Sequence, residues 1–194
     1  MGIHHIAIMA SGKGSNAKAI LEYFEHINNI KVSFLLTNKS DSGIPALSEA
    51  FEVPYYVFSN EEFKNESIIL KQLHLHKVDF IVLAGFLRLI PAYLINAYPN
   101  KILNIHPALL PKYGGKGMYG NLVHQAVWKN KEEKSGITIH LVNEAYDDGQ
   151  IIFQKEISIA NCNSPEAISE RVLEIEHQYY PKKIAEYILS FKET

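Results

Sequence analysis

The chain has 194 residues, of which 47% are hydrophobic and 21% charged, with a formal net charge of -2. At roughly 100–200 residues per domain this length favours one domain around one large core, and the charge gives no basic footprint for a nucleic-acid partner. The single cysteine, Cys162, excludes an internal disulfide and a thiolate zinc site, and it fits a reducing compartment.

The longest clean apolar run, Phe80 to Leu87, ends at Arg88 and is too short to span a bilayer. The first residues lack the basic start and small-residue cleavage pattern of a signal peptide. The expectation is a cytoplasmic protein with no membrane partner.

In chain order, Ile3 to Ala10 is an Ile-rich run suited to a buried strand. His4 and His5 are adjacent, so in a strand they face opposite ways and make a poor metal pair. Ser11-Gly12-Lys13-Gly14-Ser15-Asn16 follows, and then Ala17, Ile20, Leu21, Phe24 and Ile27 recur at helical spacing. The order is strand, glycine-rich turn, helix, with Ser15 or Asn16 expected as the cap. Free N–H groups and the helix dipole make such a start an anion site. The turn is therefore read as a phosphate site, against a plain turn that binds nothing. The same residues spell Gly12-x-Gly14-x-x-Ala17, a form of the dinucleotide fingerprint, which needs an acid at the end of the second strand. The second strand, Lys31 to Thr37, ends in Asn38-Lys39, and Asp41 lies beyond. A nicotinamide or flavin site is weakened by this and stays as the rival.

Pro45 to Phe51 reads as a short helix and Pro54 to Phe58 as a short strand. Asn60 to His76 reads as one long helix carrying Phe63, Ile69, Leu70 and Leu73. His74 and His76, two apart on a helix, do not face each other and are read as its polar end. Val78 to Gly85 is a buried strand by composition, and Pro91 opens a helix to Tyr98. Next comes Lys101-Ile102-Leu103-Asn104-Ile105-His106-Pro107. Strand spacing puts Asn104 and His106 on one face, and Pro107 ends the ladder. An amide and an imidazole thus stand at the carboxyl end of a strand, where open α/β sheets bind ligands. A capping Asn beside a satisfied His is the alternative.

Gly114, Gly115, Gly117 and Gly120 make residues 111–120 a flexible loop. Ser135 to Asn143 and Gln150 to Ile159 are strands whose short link, Glu144 to Gly149, suits a hairpin. Ser164 caps a final helix that Pro165 opens, with Ile168, Val172, Ile175 and Tyr179 on its apolar face. Glu176 lies on or beside that face. A buried place would require a partner, and an edge place would leave it in solvent. The alternation predicts a doubly wound, Rossmann-like α/β fold. Its sheet is mostly parallel, with helices on both faces and an antiparallel C-terminal strand. No repeat or linker interrupts it, so residues 1–194 are read as one domain.

Asp147 sits in the turn Tyr146-Asp147-Asp148-Gly149. A carboxylate beside His106 would favour its protonated form. An amide and an imidazolium aimed at one point would stabilise an oxyanion and protonate a leaving group. No serine is placed as an evident nucleophile. That favours direct transfer between two bound substrates, and acyl transfer to an amine is one reaction needing only this set.

Asn104-Ile105-His106-Pro107-Ala108-Leu109-Leu110-Pro111 resembles the N-x-H-P-x-L-L-P signature of the folate-dependent formyltransferases. Four other segments are similar to those of the branch that formylates phosphoribosylglycinamide. Ser11 to Asn16 matches S-G-x-G-S-N, and Leu83 to Arg88 matches A-G-[FY]-[ML]-R. Asp147 to Ile152 matches D-x-G-x-I-I, and Glu176-His177 with Tyr180-Pro181 matches E-H-x-x-Y-P. The chain departs after Pro111-Lys112-Tyr113, where many members carry Pro-Gly and a His-containing stretch. Here Gly114-Gly115-Lys116-Gly117-Met118-Tyr119-Gly120 follows, with His124 beyond.

The resemblance implies that 10-formyltetrahydrofolate is the co-substrate and phosphoribosylglycinamide the acceptor in purine synthesis, with no metal and no nicotinamide. It makes His106 the general acid, Asn104 the group that polarises the formyl oxygen, and Asp147 the group that orients and charges the imidazole. It places Gly14, Ser15 and Asn16 on the substrate phosphate and Glu176 on the ribose side. It lines the folate pocket with Leu87, Arg88, Leu89 and Ile90, with Asn104, and with Asn143, Glu144, Ala145, Tyr146 and Asp147. Relatives acting on initiator methionyl-tRNA or nucleotide sugars, or hydrolysing formyltetrahydrofolate, share the N-x-H-P core and resemble this chain less. A non-catalytic nucleotide-binding module would not need Asn104, His106 and Asp147 together. The partners implied are small molecules and no nucleic acid, with monomer and homodimer both open.

Overall fold

Seven strands form one sheet in the structure, a computed structural model that describes residues 2–192. Strands β1 (His4–Ala10), β2 (Ile30–Thr37), β3 (Tyr55–Val57), β4 (Phe80–Leu83) and β5 (Ile102–His106) are mutually parallel. β6 (Lys134–Leu141) runs antiparallel to β5, and β7 (Ile151–Ser158) antiparallel to β6, so β6 alone opposes the rest. The order is β3-β2-β1-β4-β5-β6-β7. The chain winds outward from β1 to β3 and then returns to the other side of β1. That reversal opens a crevice beyond the carboxyl ends of β1 and β4.

The helices are α1 (Ser15–Phe24), α2 (Ile44–Phe51), α3 (Asn60–Lys64), α4 (Glu66–Leu75), α5 (Ala92–Ala97), α6 (Asn121–Lys129) and α7 (Pro165–Ser190). Strand residues alternate between the two faces of the sheet. Ile6, Ile8 and Ala10 of β1 pack in a core with Leu21 of α1, Ile44 of α2, Val127 of α6 and Ile184 of α7. Ala7 and Met9 pack on the other side with Phe63 of α3, Leu73 of α4 and Leu94 of α5. Both faces are covered, which is why these strands read as unbroken apolar runs. Among the described residues no helix is long and apolar enough to cross a membrane.

Two local expectations are corrected and one helix is added. The long helix of residues 60–76 is two helices. Ser59 and Glu62 form a reciprocal capping box at the start of α3. Asn65 then leaves helical geometry (φ -93, ψ 101), and its side chain accepts from the Ser67 N–H to start α4. The cap of α1 is Gly14 in the left-handed region (φ 79), not Ser15 or Asn16. Ser15 is already helical, and the Asn16 amide is engaged elsewhere. Finally, the stretch after the glycine-rich loop forms α6, with Val123, His124 and Val127 buried.

The last helix also holds the sheet. The Tyr180 hydroxyl, fully buried, lies 2.9 Å from the carbonyl oxygen of Leu83 and 3.2 Å from that of Leu103. One donor thereby serves two carbonyls on adjacent strands, at the end of β4 and near the start of β5.

Candidate active site

The crevice is a cleft of about 620 Å³ outside the strand ends. β5 delivers Asn104 and His106 into its lining, as the alternation of a strand requires. The segment after His106 is fixed from β6 and β7. Thr138 donates to the Ala108 carbonyl at 2.7 Å and accepts from the Leu110 N–H at 3.0 Å, while Gln154 donates to the Leu110 carbonyl at 2.9 Å.

The hydrogen bonds assign the working atoms. His106 Nε2 lies 2.7 Å from the Tyr113 carbonyl oxygen. A carbonyl can only accept, so Nε2 carries a proton and donates it. The nitrogen free to gain or lose a proton is then Nδ1, which faces Asp147 Oδ2 at 3.5 Å. Asp147 adopts φ 53, a left-handed conformation that Asp tolerates better than most residues. Its Oδ2 also accepts the Gly115 N–H at 3.0 Å. Burial pushes the Asp147 carboxyl up, but the neighbouring His106 and His140 imidazoles, the His106 charge and the Gly115 amide outweigh it. The carboxyl is held well below the usual range, so Asp147 is an anion at neutral pH.

His140, buried on β6 and directly opposite Asn104 in the register, completes the group. Its Nδ1 donates to the Leu141 carbonyl at 2.8 Å. In the neutral ring Nε2 is then an acceptor, and Asn104 Nδ2 donates to it at 3.1 Å. The orientation of the Asn104 amide is set by that bond, which leaves its second N–H and its Oδ1 for a ligand. Asp147 Oδ1 lies 3.7 Å from the same His140 nitrogen. Asn104, His106 and Asp147 therefore converge, although 41 residues separate the last two.

A second cluster joins α1 to α7. Asn16 Nδ2 donates to Glu176 Oε2 at 2.7 Å, and both residues line the cleft. Glu176 is only 6% exposed. Burial raises its carboxyl to about 7, against the pull of Asn16 and the His106 charge. The buried reading of Glu176 holds, and Asn16 is its partner. Gly14 and Ser15 do not line the cleft and lie one and two residues before the lining residue Asn16.

The apolar wall comes from the segment after β4. The Ser11 hydroxyl donates to Asn38 Oδ1 at 2.7 Å and accepts the Leu87 N–H at 3.2 Å, which pins that segment to β1. Leu87, Arg88, Leu89 and Ile90 all line the cleft, as do Asn143, Ala145, Tyr146 and Asp147. Glu144 does not line it and is exposed. Asn38, at the end of β2, offers an amide already bound to Ser11 where a dinucleotide site needs a carboxylate. Among the described residues no group of three or more His, Cys, Asp or Glu is disposed to hold a metal ion.

Sequence reasoning missed two imidazoles and one carbonyl. His140 could be found only from the β5–β6 register, which pairs it with Asn104. His124 of α6 is 4% exposed and lines the cleft, and burial with the His106 charge pushes it down to about 4, so it is neutral. The Tyr113 carbonyl leaves no trace in a side-chain pattern.

The sequence pattern of the formyl transferase family matches residues 4–184. A phosphoribosylglycinamide formyltransferase of Bacillus subtilis is 37% identical over 187 residues, covering 94% of this chain and 93% of that protein. A chloroplastic phosphoribosylglycinamide formyltransferase of Arabidopsis thaliana is 41% identical over 181 residues, covering 90% of this chain, which spans 62% of that longer relative. The crystal structure of phosphoribosylglycinamide formyltransferase from Bacillus halodurans superposes with a TM-score of 0.86 at 30% identity, covering 97% of each chain. With the N-x-H-P strand end, the converging Asn104, His106 and Asp147, and a family match over nearly all its length, this chain belongs to the formyl transferase family.

Proposed function

We propose that the protein transfers the formyl group of 10-formyltetrahydrofolate to the amino group of 5'-phosphoribosylglycinamide. The products are 5'-phosphoribosyl-N-formylglycinamide and tetrahydrofolate, and the step belongs to the de novo synthesis of IMP. The observation that carries this reading is one cleft holding Asn104, His106 and Asp147 between an apolar wall and the start of α1. Leu87, Leu89 and Tyr146 are exposed there and offer apolar surface to a flat ring system. The glycine turn before α1 offers free N–H groups to a phosphate. Glu176, beside Asn16, is the carboxyl group suited to sugar hydroxyls.

The chemistry follows from the assigned atoms. The neutral amine attacks the formyl carbon, a C–N bond forms, and the carbonyl oxygen takes up negative charge. The free Asn104 N–H supports that oxygen. His106, protonated at Nδ1 and held there by the Asp147 anion, gives its proton to the departing folate nitrogen as the old C–N bond breaks. The new amide nitrogen returns a proton to Nδ1. One proton has left the amine and one has reached the folate nitrogen, so no outside acid or base is consumed. No covalent enzyme intermediate is needed.

The single sheet and the 4–184 match support residues 1–194 as one formyltransferase domain. We read its site of action as the cytoplasm and its working state as a monomer or homodimer. The test is an incubation of purified protein with both substrates, followed by the absorbance of released tetrahydrofolate. Release that requires phosphoribosylglycinamide and matches formylated product mole for mole is expected. Formate release without the amine would overturn the transferase reading.

A further inference from the structure

The turn that follows the catalytic strand touches both members of the His106–Asp147 pair. The Tyr113 carbonyl accepts from His106 Nε2 at 2.7 Å, and two residues later the Gly115 N–H donates to Asp147 Oδ2 at 3.0 Å. This turn is tightly specified. Tyr113 sits at φ 58, in the left-handed region that an aromatic residue rarely adopts. A Cβ at Gly114 would lie 2.4 Å from Leu110 Cδ2 and 3.3 Å from Asp147 Cβ. Gly115 needs φ 92.

The Tyr113 side chain is itself held from two sides. Its phenol donates to Glu132 Oε1 at 2.8 Å and accepts from Asn130 Nδ2 at 3.0 Å. Lys112 reaches the same Glu132 oxygen at 3.1 Å. Asn130 and Glu132 are in turn fixed at the end of α6, where their N–H groups donate to the carbonyls of Ala126 and Val127. The phenol therefore closes the base of the whole excursion made by the glycine-rich loop and α6. None of Lys112, Tyr113, Asn130 or Glu132 lines the cleft.

We propose that Tyr113 is a positioning residue for His106. Its phenol, clasped by Glu132 and Asn130 outside the cleft, keeps its backbone carbonyl aimed at His106 Nε2 and so reserves Nδ1 as the proton-exchanging nitrogen. A carbonyl at 2.7 Å favours the neutral tautomer with the hydrogen on Nε2, against the pull of Asp147 at 3.5 Å from Nδ1. Without the clasp the left-handed residue relaxes, the carbonyl turns away, and the ring is free to carry its hydrogen on Nδ1. A ring in that tautomer already carries its hydrogen at Nδ1, shared with Asp147, and cannot take up a further proton there.

Only the activity arm of the test rests on the formyl-transfer reading, because the tautomer is read on the free protein. In 15N-histidine spectra at alkaline pH, wild-type His106 should show predominantly the Nε2–H form. Y113F should show a mixture of tautomers. Its kcat should fall about three- to tenfold, the scale of one lost hydrogen bond, with KM for both substrates within about twofold. E132A should reproduce both effects from the other side of the clasp, and E132Q, which keeps an acceptor oxygen, should lose less than E132A. These two variants carry the test if Y113F does not fold. A purely structural role would lower thermal stability and leave the His106 tautomer alone. Wild-type tautomer in both Y113F and E132A overturns the proposal. Tautomer loss in a protein without transferase activity would leave the proposal standing and overturn the functional reading instead.

Discussion

Replacing Glu176 by Gln should make the protein more stable, and the gain should depend on pH. The carboxyl is buried, and its folded value is raised from an ordinary 4.5 to about 7. An acid whose folded value is raised contributes its stability while protonated, below the unfolded value. That contribution is lost as pH rises toward the folded value. The gap between 4.5 and about 7, at ~1.4 kcal/mol per pH unit, amounts to about 3 kcal/mol of destabilisation once the group is ionised. Between about pH 5 and about pH 8, some 2.5 kcal/mol of this should appear. Glutamine has nearly the same shape, keeps an oxygen that can accept from Asn16 Nδ2, and never ionises. Its advantage over wild type should be small near pH 5 and widen by about 2–3 kcal/mol near pH 8. For a chain of this size that is roughly 5–10 °C in melting temperature. Urea denaturation of both proteins across this range is the assay, and groups common to the two cancel in the difference. A difference that stays constant with pH, or that favours wild type more strongly at pH 8, would refute the reasoning. In turnover the same variant should raise KM for phosphoribosylglycinamide more than it lowers kcat.

Two further changes test the scaffold of the site. Y180F removes the one hydroxyl that serves the Leu83 and Leu103 carbonyls. It should cost about 1–3 kcal/mol, the range for leaving buried polar groups unpaired, and this can be read by chemical denaturation. H140F leaves Asn104 Nδ2 without its acceptor while filling the buried space. It should lower kcat/KM about tenfold in steady-state assays, and unchanged kinetics would mean that Asn104 needs no such anchor.

Much of the architecture was legible because local and global signals agreed. The apolar runs of β1, β4 and β5 are buried on both faces, so their composition alone marks them. Pro107 closes β5 and displays Asn104 and His106 by simple alternation. The failures have physical causes that lie outside periodicity. The Ser59–Glu62 capping box and Asn65 were present in the sequence, but the helically spaced Phe63, Ile69, Leu70 and Leu73 on either side of Asn65 masked the two starts they encode. α6 buries only Val123, His124 and Val127, one of them polar, so its apolar periodicity is too weak to mark a helix. Gly14 rather than Ser15 caps α1 because the left-handed turn needs a residue without Cβ, and a Cβ there would lie 2.9 Å from Leu47. His140 and the Tyr113 carbonyl belong to the site through register and backbone direction, which no residue spacing along the chain expresses.

The central claim is that His106 and Asp147 act as one device on the folate nitrogen. The most direct measurement is a double-mutant cycle in kcat/KM for wild type, His106→Asn, Asp147→Asn and the double variant. Asp147→Asn keeps size and shape and removes only the charge. It should cost about a hundredfold or more in kcat, the scale of a lost acid-base element, and His106→Asn should cost at least as much. Because each group works through the other, the double variant should be little worse than the worse single. Losses that multiply as independent factors, or an Asp147→Asn enzyme with wild-type kcat, would contradict the account and leave Asp147 as a residue that shapes its turn.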